Sequence, residues 1–467
     1  LHSTSRRQRQ MCIRDRIYTY QNQEKQEALD KALNNCNLGC DYSGIVINNK
    51  SHYVEAYSGS SNYKILDAKR QPGSTIKPIL VYGPALNEDI IYPCSQILDE
   101  KTTISDYTPK NVGNVYHGYV SAREALSKSM NIPAVKVLSY LGIEKAKAYA
   151  EEMGISFDER DDSYTLALGG MTYGVNIKEL AGAYSTFSNG GSYASPKFVS
   201  FITDKNNKLV YVNKPQEKQV MREDSSYLIT DMLRTCAKSG TAKKLNSLNI
   251  DIASKTGTVG KSNSKQNLDA WNVSYTKDQT CGVWLGNLDN TPISYAGGNQ
   301  PTEIVKNYFS TVQDDSTFDK PSTIVERDID ETELNENHRV MLANIYMPER
   351  YKKSELFSSL NLPNDISDKF TSLEKLDISS FVEDERAIIK LNAKSYLTYD
   401  FIIDGKVIKQ ITSKSGEETV TLPLKKQKQT VEIEYYYTLD NDIRSTEKIN
   451  FIKSENTKKS HGEKWFI

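Results

Sequence analysis

The 467-residue sequence has no apolar run near the ~20 residues that a membrane-spanning helix requires, and no secretory signal peptide is visible. It lacks an excess of either charge: 59 Lys and Arg stand against 60 Asp and Glu, which removes any electrostatic footprint for nucleic acid. Histidine is scarce, and His2, His52, His117, His338 and His461 lie far apart. Cys36 and Cys40 are close in sequence, yet no second Cys/His pair completes a zinc site, so neither a metal nor a cofactor is expected. Cys12 falls in a doubtful terminal run, while Cys94, Cys236 and Cys281 are scattered and read as small core residues.

What is present is ordinary for a soluble globular protein: 38% hydrophobic and 25% charged residues, at a length that suits two or three domains. Residues 1–16, LHSTSRRQRQMCIRDR, have no apolar periodicity and read as a run foreign to the fold, or as a basic disordered tail. The natural protein is expected to begin upstream of Ile17.

The pattern predicts a helix over Asn22–Asn34, then a hairpin of Gly44–Asn48 and His52–Ala56. Gln71-Pro72-Gly73 breaks the chain before a helical stretch that opens at Ser74. Ser121 with Glu124 forms a capping box, Pro133 suits the first turn of a helix ended by Gly142, and helices follow at Ile143–Met153, Ile177–Phe187 and Glu223–Ala237. Lys197–Thr203 and Lys208–Val212 read as strands before the last of these helices. The strand-like runs Ile250–Thr256, Ala270–Tyr275 and Thr280–Trp284 then suggest an antiparallel sheet. Helices placed between early and late strands of one sheet point to an α+β domain at 17–313. Residues 314–375 read as a linker with weak helices near His338–Tyr346 and Lys353–Leu360. Short alternating strands over 376–453, with a turn at Asp404-Gly405, suggest a small β-sandwich, and 454–467 reads as a disordered tail.

Three short motifs carry the chemistry, and none is specific alone. In Ser74-Thr75-Ile76-Lys77 an i, i+3 pair shares one helical face, which brings an amine to a hydroxyl; an amine of depressed pKa can activate a serine. The chain repeats this spacing at Ser61-Asn62-Tyr63-Lys64. In Ser129-Met130-Asn131 a loop hydroxyl and amide either point into a cleft or, for Asn131, cap the helix that Pro133 opens. Ser247-Leu248-Asn249 has the same form. In Lys255-Thr256-Gly257-Thr258 a glycine lets a substrate backbone approach, while Lys255 and the hydroxyls suit a carboxylate. Its counterpart Lys238-Ser239-Gly240-Thr241 looks like a helix-stop turn. Gly260-Lys261-Ser262 hints at a phosphate loop, but the first glycine of such a loop would fall on Lys255, so nucleotide binding is rejected.

Order and context single out one set. S-x-x-K on a helix, S-x-N between helices and K-T-G ending a strand occur in that sequence, a set related to that of penicillin-binding proteins. Arg70-Gln71-Pro72-Gly73-Ser74-Thr75-Ile76-Lys77-Pro78 resembles the active-serine segment of class A, bifunctional penicillin-binding proteins. Tyr107-Thr108-Pro109-Lys110-Asn111, Ser129-Met130-Asn131-Ile132-Pro133-Ala134-Val135, Ala167-Leu168-Gly169-Gly170, Asp269-Ala270-Trp271 and Gly282-Val283-Trp284-Leu285-Gly286-Asn287 resemble the same family in the same order. The likeness covers about 40–290. One departure is Val259, where the family often carries threonine or a short polar residue.

The resemblance implies a penicillin-binding/β-lactamase-like transpeptidase fold, an antiparallel sheet with an inserted helical region, followed by the β-sandwich, itself similar to fibronectin type III or immunoglobulin-like modules. It implies a serine D,D-transpeptidase acting on peptidoglycan stem peptides, with β-lactams as covalent inhibitors. Ser74 is then the nucleophile, Lys77 its base, Ser129 a proton relay and Lys255 an electrostatic partner. Asn131, Thr256, Gly257 and Thr258 bind substrate, and the backbone N–H groups of Ser74 and Thr258 form an oxyanion hole. A membrane anchor and a glycosyltransferase domain are expected ahead of this segment, on the order of 250–300 residues, placing the enzyme on the outer face of the cytoplasmic membrane with other wall-synthesis proteins as partners. Alternatives with the same acylation chemistry are a D,D-carboxypeptidase or a β-lactamase; a class A β-lactamase needs a deacylating glutamate on a loop, whereas Glu151 and Glu152, in the right interval, fall on a predicted helix. A further alternative is a non-enzymatic penicillin-sensing receptor.

Overall fold

A computed structural model describes residues 15–36, 38–60, 65–261, 264 and 266–453. Residues 1–14, the second S-x-x-K at 61–64, Ser262 and the tail 454–467 lie outside the described residues. By internal contacts the chain divides into two units. The first holds the described residues up to Arg327 together with His338–Val340 and Ser354–Leu362; the second holds Asp328–Asn337, Met341–Lys353 and the described residues from Pro363 on.

The first unit is built on a five-stranded antiparallel sheet. Its strands are β1 (Asp41–Asn48), β2 (Val54–Gly59), β3 (Ala253–Gly260), β4 (Asn267–Tyr275) and β5 (Gln279–Gly286), in spatial order β3-β4-β5-β1-β2. The hairpin β1–β2 is therefore completed by three strands from some 200 residues later, and the helices lie between them in sequence.

Alternation along the strands divides the core into two layers. Val46, Ala270, Cys281, Val283 and Leu285 face helix α1 (Gln23–Asn34) and the late helix Gln300–Val312, which supplies Ile304, Val305, Tyr308 and Phe309. Ile45, Ile47, Trp271, Val273 and Tyr275 face the inserted helices. These are α2 (Ala122–Ser127), α3 (Asn131–Leu141), α4 (Ile143–Glu152), α5 (Ile177–Ser188) and α6 (Glu223–Lys238), with Gln300–Val312 following as α7. The ends obey their capping residues. Asn22 accepts from Lys25 N–H at 3.1 Å, Ser121 accepts from Glu124 N–H at 3.1 Å, and Asn176 with Glu179 forms a complete capping box on α5.

The second unit contains two antiparallel sheets. One pairs β6 (Ile378–Glu383), β7 (Arg386–Ala393) and β10 (Gly416–Pro423); the other has the order β9 (Lys406–Thr412), β8 (Leu397–Ile403), β11 (Lys428–Tyr437), β12 (Asp440–Ile452). Ile389, Leu391, Tyr399, Phe401, Val431 and Ile433 fill the core of this unit from both sheets. Asp404 and Gly405 turn between β8 and β9 with φ of 51° and 74°, the left-handed pair that a two-residue hairpin favours.

Two weak helices expected from local sequence are absent. Lys353–Leu360 is the strand Lys352–Ser358, in which Phe357 is fully buried and the chain is tied by Ser359 N–H to the Thr323 carbonyl at 2.7 Å. Long-range pairing has overridden the local preference. Near His338–Tyr346 the helix lies earlier, at Glu331–Glu336, because the Asp330 carboxylate caps Thr332 and Glu333 N–H at 2.8 and 3.1 Å. No helix among the described residues is long and apolar enough to cross a membrane.

Candidate active site

Ser74 sits in a 3-10 turn, Gly73–Ile76, and not at the start of a regular α-helix. With three residues per turn, positions i and i+3 eclipse, so the Ser74 and Lys77 side chains rise from the same line of the helix. A π-turn follows at Pro78–Tyr82, closed by Gly83 N–H on the Pro78 carbonyl. Pro84 explains it: proline has no N–H to give the Leu80 carbonyl, so the regular ladder cannot pass through this point.

The segment before Ser74 is clamped from three sides. Arg70 pairs with Asp269 at 2.7 Å and exchanges backbone hydrogen bonds with Val175. Asp269 also accepts from Trp284 Nε1 at 2.9 Å, and Trp271 Nε1 donates to the Gln71 carbonyl at 2.9 Å. The Gln71 side chain binds both the N–H and the carbonyl of Met171. Behind the turn, the buried Tyr184 hydroxyl donates to the Thr75 carbonyl at 2.7 Å.

Strand β3 lies at the edge of the sheet, against this turn. A Cβ on Gly257 would come within 2.6 Å of the Pro72 carbonyl oxygen and 2.9 Å of Thr75 Cγ2. Gly73, at φ +54°, would place one 3.0 Å from the Thr258 carbonyl oxygen. The glycine of K-T-G therefore lets the strand reach the serine turn.

Ser129 follows the α2 C-cap with φ of +59°, a strained conformation for a residue with a Cβ. Its Oγ accepts from Lys255 Nζ at 2.8 Å, and Lys255 also donates to the Thr256 carbonyl at 2.9 Å. Lys77 Nζ donates to the carbonyls of Ser129 and Met130 at 2.8 Å each and to Asn131 Oδ1 at 2.9 Å. Both lysines are fully buried. Burial, and then the charge of Lys255, draw Lys77 well below the ordinary lysine range. The three acceptors around its Nζ suit an ammonium and oppose that shift, but the net direction is downward. Burial lowers Lys255 to about 8.

Asn131 is the first residue of α3 and does not cap it; Met130 occupies the cap position without a side-chain bond. The cap comes from Asn111, whose Oδ1 accepts from Asn131 and Ile132 N–H at 2.9 and 3.2 Å. The fully buried Asp99 carboxylate holds Asn111 Nδ2 at 2.7 and 2.9 Å, and Asn131 Nδ2 reaches the Lys110 carbonyl at 2.8 Å. The segment 107–111 thus orients both the backbone and the amide of Asn131. Asn111→Ala is expected to destabilise the protein by about 1–2 kcal/mol, as lost helix caps do, and to slow acylation of Ser74 as well. A thermal melt and a penicillin time course would check both, and an unchanged acylation rate would remove Asn111 from the site.

These elements surround one cavity of about 600 Å³, whose lining includes Ser74, Ser129, Asn131, Thr256 and Thr258. Thr241 joins them: its Oγ1 accepts from Thr256 Oγ1 at 2.7 Å. Lys238-Ser239-Gly240-Thr241 does stop α6, but the residue after the stop enters the cavity, which the spacing alone did not signal. Ser247-Leu248-Asn249 ends the separate 3-10 turn Lys243–Leu248, and Glu151 and Glu152 lie exposed on α4, outside the cavity lining. No group of three or more His, Cys, Asp or Glu residues suited to a metal occurs among the described residues.

Residues 43–310, more than half of the sequence, match the penicillin binding protein transpeptidase domain. The chain belongs to that family. This transpeptidase domain is 38% identical over 293 residues to penicillin-binding protein 1F of Bacillus subtilis (strain 168), an alignment covering 61% of this chain and 41% of the relative. Penicillin-binding protein 1A/1B of the same organism is 28% identical over 442 residues, covering 87% of this chain and 48% of the relative. The chain thus spans about half, or less, of the length of these curated relatives. Among solved structures, penicillin-binding protein PonA1 from Mycobacterium tuberculosis superposes with a TM-score of 0.59 at 23% identity, covering 66% of this chain and 87% of that one. Penicillin-binding protein 1A from Haemophilus influenzae gives 0.60 at 21% identity, with 70% and 54% covered. At those identities the likeness shows the fold: the penicillin-binding transpeptidase fold, of α+β class.

Proposed function

We propose that the cavity is a serine D,D-transpeptidase site that cross-links peptidoglycan stem peptides. The observation that carries this reading is the convergence of Ser74, Ser129, Asn131, Thr256 and Thr258 on one cavity, with the buried amines of Lys77 and Lys255 hydrogen-bonded to Asn131 and Ser129 of its lining. Ser74 Oγ attacks the carbonyl carbon between the two terminal D-alanines of a donor peptide, and Lys77 Nζ takes its proton. The oxyanion forms against the N–H groups of Ser74 and Thr258, where each donor is typically worth about 3 kcal/mol. Collapse breaks the C–N bond, and the proton passes through Ser129 Oγ to the departing D-alanine amine. Lys255 holds Ser129 and adds positive charge, while Thr256 and Thr258 bind the terminal carboxylate and Asn131 the donor amide. The amine of a second stem peptide then attacks the ester and returns Ser74 to its hydroxyl form.

A penicillin carries the same acyl-D-alanine geometry in a strained ring and remains on Ser74 because no leaving amine departs. Such chemistry belongs on the outer face of the bacterial cytoplasmic membrane, where the cross-linked polymer lies. The partition of the acyl-enzyme tests the reading. Incubation with a D-Ala-D-Ala pentapeptide and an amine-bearing acceptor peptide is expected to yield the amide-linked dimer, by mass spectrometry. Hydrolysed tetrapeptide alone, at every acceptor concentration, would make the protein a carboxypeptidase instead.

A further inference from the structure

The second unit carries a cavity of about 620 Å³ that the transpeptidase reading does not use. It lies on the four-stranded sheet, on the side away from the core. Tyr399 and Phe401 of β8, Tyr435 of β11 and Ile411 of β9 face the core, so alternation turns Thr398, Tyr436, Gln410 and Thr412 toward the cavity. Thr398 and Asp400 of β8 are nonetheless only 5% and 6% exposed.

What covers them is polar and fixed. The Asp400 carboxylate accepts from Gln410 Nε2 at 2.7 Å and from the Tyr436 hydroxyl at 3.2 Å. Gln410 Nε2 also donates to the Tyr436 hydroxyl at 3.2 Å, and the Gln410 amide oxygen is an acceptor with no partner among the described residues. A buried carboxylate thus presets two side chains of the cavity. Beside them Thr398 Oγ1 lies 3.2 Å from Thr412 Oγ1 and 3.1 Å from Thr438 Oγ1, a row of hydroxyls that can each donate or accept.

The charged members of the lining already answer one another. Arg350 pairs with Asp440 and, at 3.2 Å, with Asp442. Asp440 is 3% exposed, and its Oδ1 takes both Arg350 and the Asp442 N–H, but its Oδ2 is buried without a partner among the described residues. A carboxylate oxygen only accepts, so the missing partner is a donor. Cavities of this size that take small ligands are lined mostly by apolar groups, whereas here only Leu439 and the rings of Tyr351 and Tyr436 are apolar. An ion therefore meets charges already matched, and an apolar ligand meets too little surface. An uncharged molecule rich in hydroxyls, with flat C–H faces for the tyrosine rings, fits both limits.

We propose that this cavity binds a neutral saccharide, whose hydroxyl groups meet the Gln410 amide, the threonine row and the Asp440 carboxylate. An N-acetylated amino-sugar glycan and a plain hexose polymer share that chemistry.

Calorimetric titration of the full chain with the β-1,4-linked tetramers of N-acetylglucosamine and of glucose separates the two. At least one is expected to bind, with an affinity that changes little between low and high salt. Gln410→Ala and Thr412→Val, both at exposed positions, should each weaken that binding about fivefold to tenfold, as the loss of one hydrogen bond does, at an unchanged thermal melt. Lys390→Ala, exposed on the other sheet of the same unit, should leave the affinity as it is. Binding of the acetylated tetramer alone assigns the site to an amino-sugar glycan, binding of the glucose tetramer alone to a hexose polymer, and binding of both to the hydroxyl pattern they share. Binding of neither tetramer, an affinity that survives both substitutions, or one that high salt abolishes overturns the proposal.

Discussion

Ser74→Ala is expected to take up no fluorescent penicillin while its thermal melt stays close to that of the parent protein. The substitution removes one oxygen from a half-buried side chain. The turn that carries it is held by other groups: Thr75 Oγ1 on the Pro72 carbonyl at 2.7 Å, Tyr184 on the Thr75 carbonyl, and the Arg70–Asp269 pair. None of these involves the Ser74 hydroxyl, so the fold has little reason to respond. Nucleophilic catalysis, by contrast, has no substitute at this position, because a covalent ester needs the oxygen that alanine lacks. Gel fluorescence after denaturation gives the readout. Undiminished labelling would show that another nucleophile is used and would dismiss the assignment.

Lys77→Ala should lower the acylation rate by about 10²–10⁴-fold, the range over which a positioned general base contributes. It should also lower the melt, because the carbonyls of Ser129 and Met130 and the Asn131 amide oxygen lose their shared donor in a buried place. The two effects separate when rates are measured well below the melting range. Near-normal acylation there would remove Lys77 from the role of base.

The parent protein carries a pH signature of the same residues. Only the neutral amine accepts a proton, and the Lys77 pKa is depressed, so acylation should rise with pH as that amine deprotonates. Lys255 acts through its positive charge, which is lost above about 8, so the rate should fall again on the alkaline side. A bell is expected in the parent, and the acidic limb should disappear in Lys77→Ala.

The identity of Ser74 was legible in sequence only through combination. Its S-x-x-K spacing recurs at Ser61, and what distinguished it was Gln71-Pro72-Gly73 and the later order of Ser129 and Lys255. The structure gives those preceding residues their work, since Gln71 and Gly73 fit the turn against Met171 and Thr258. Helices with strong local signals, such as α1, α5 and α6, fall within a residue or two of their expected bounds.

What sequence left out depends on contacts between distant segments. Asn111 caps a helix 20 residues away, and Thr241 enters the cavity only because α6 stops against the Ser127 carbonyl. The left-handed backbone of Ser129 has no compositional mark, since the usual signal for positive φ is glycine or asparagine. Helix α7 was not anticipated, although Asn299-Gln300-Pro301 has the form of a helix start.

The return of Ser354–Leu362 to the first unit bears on how the gene can be cut. Glu355 from that stretch holds Arg123 of α2 at 2.6 Å, and the Ser358 hydroxyl bonds to the buried Asp224 carboxylate of α6. Both partners sit on helices that brace the cavity from behind. A stop codon placed after the last strand of the main sheet, or even after α7, would delete these ties while leaving every motif residue encoded. The open reading frame of a self-sufficient transpeptidase module therefore extends about 50 codons beyond α7, and it carries part of the neighbouring unit with it.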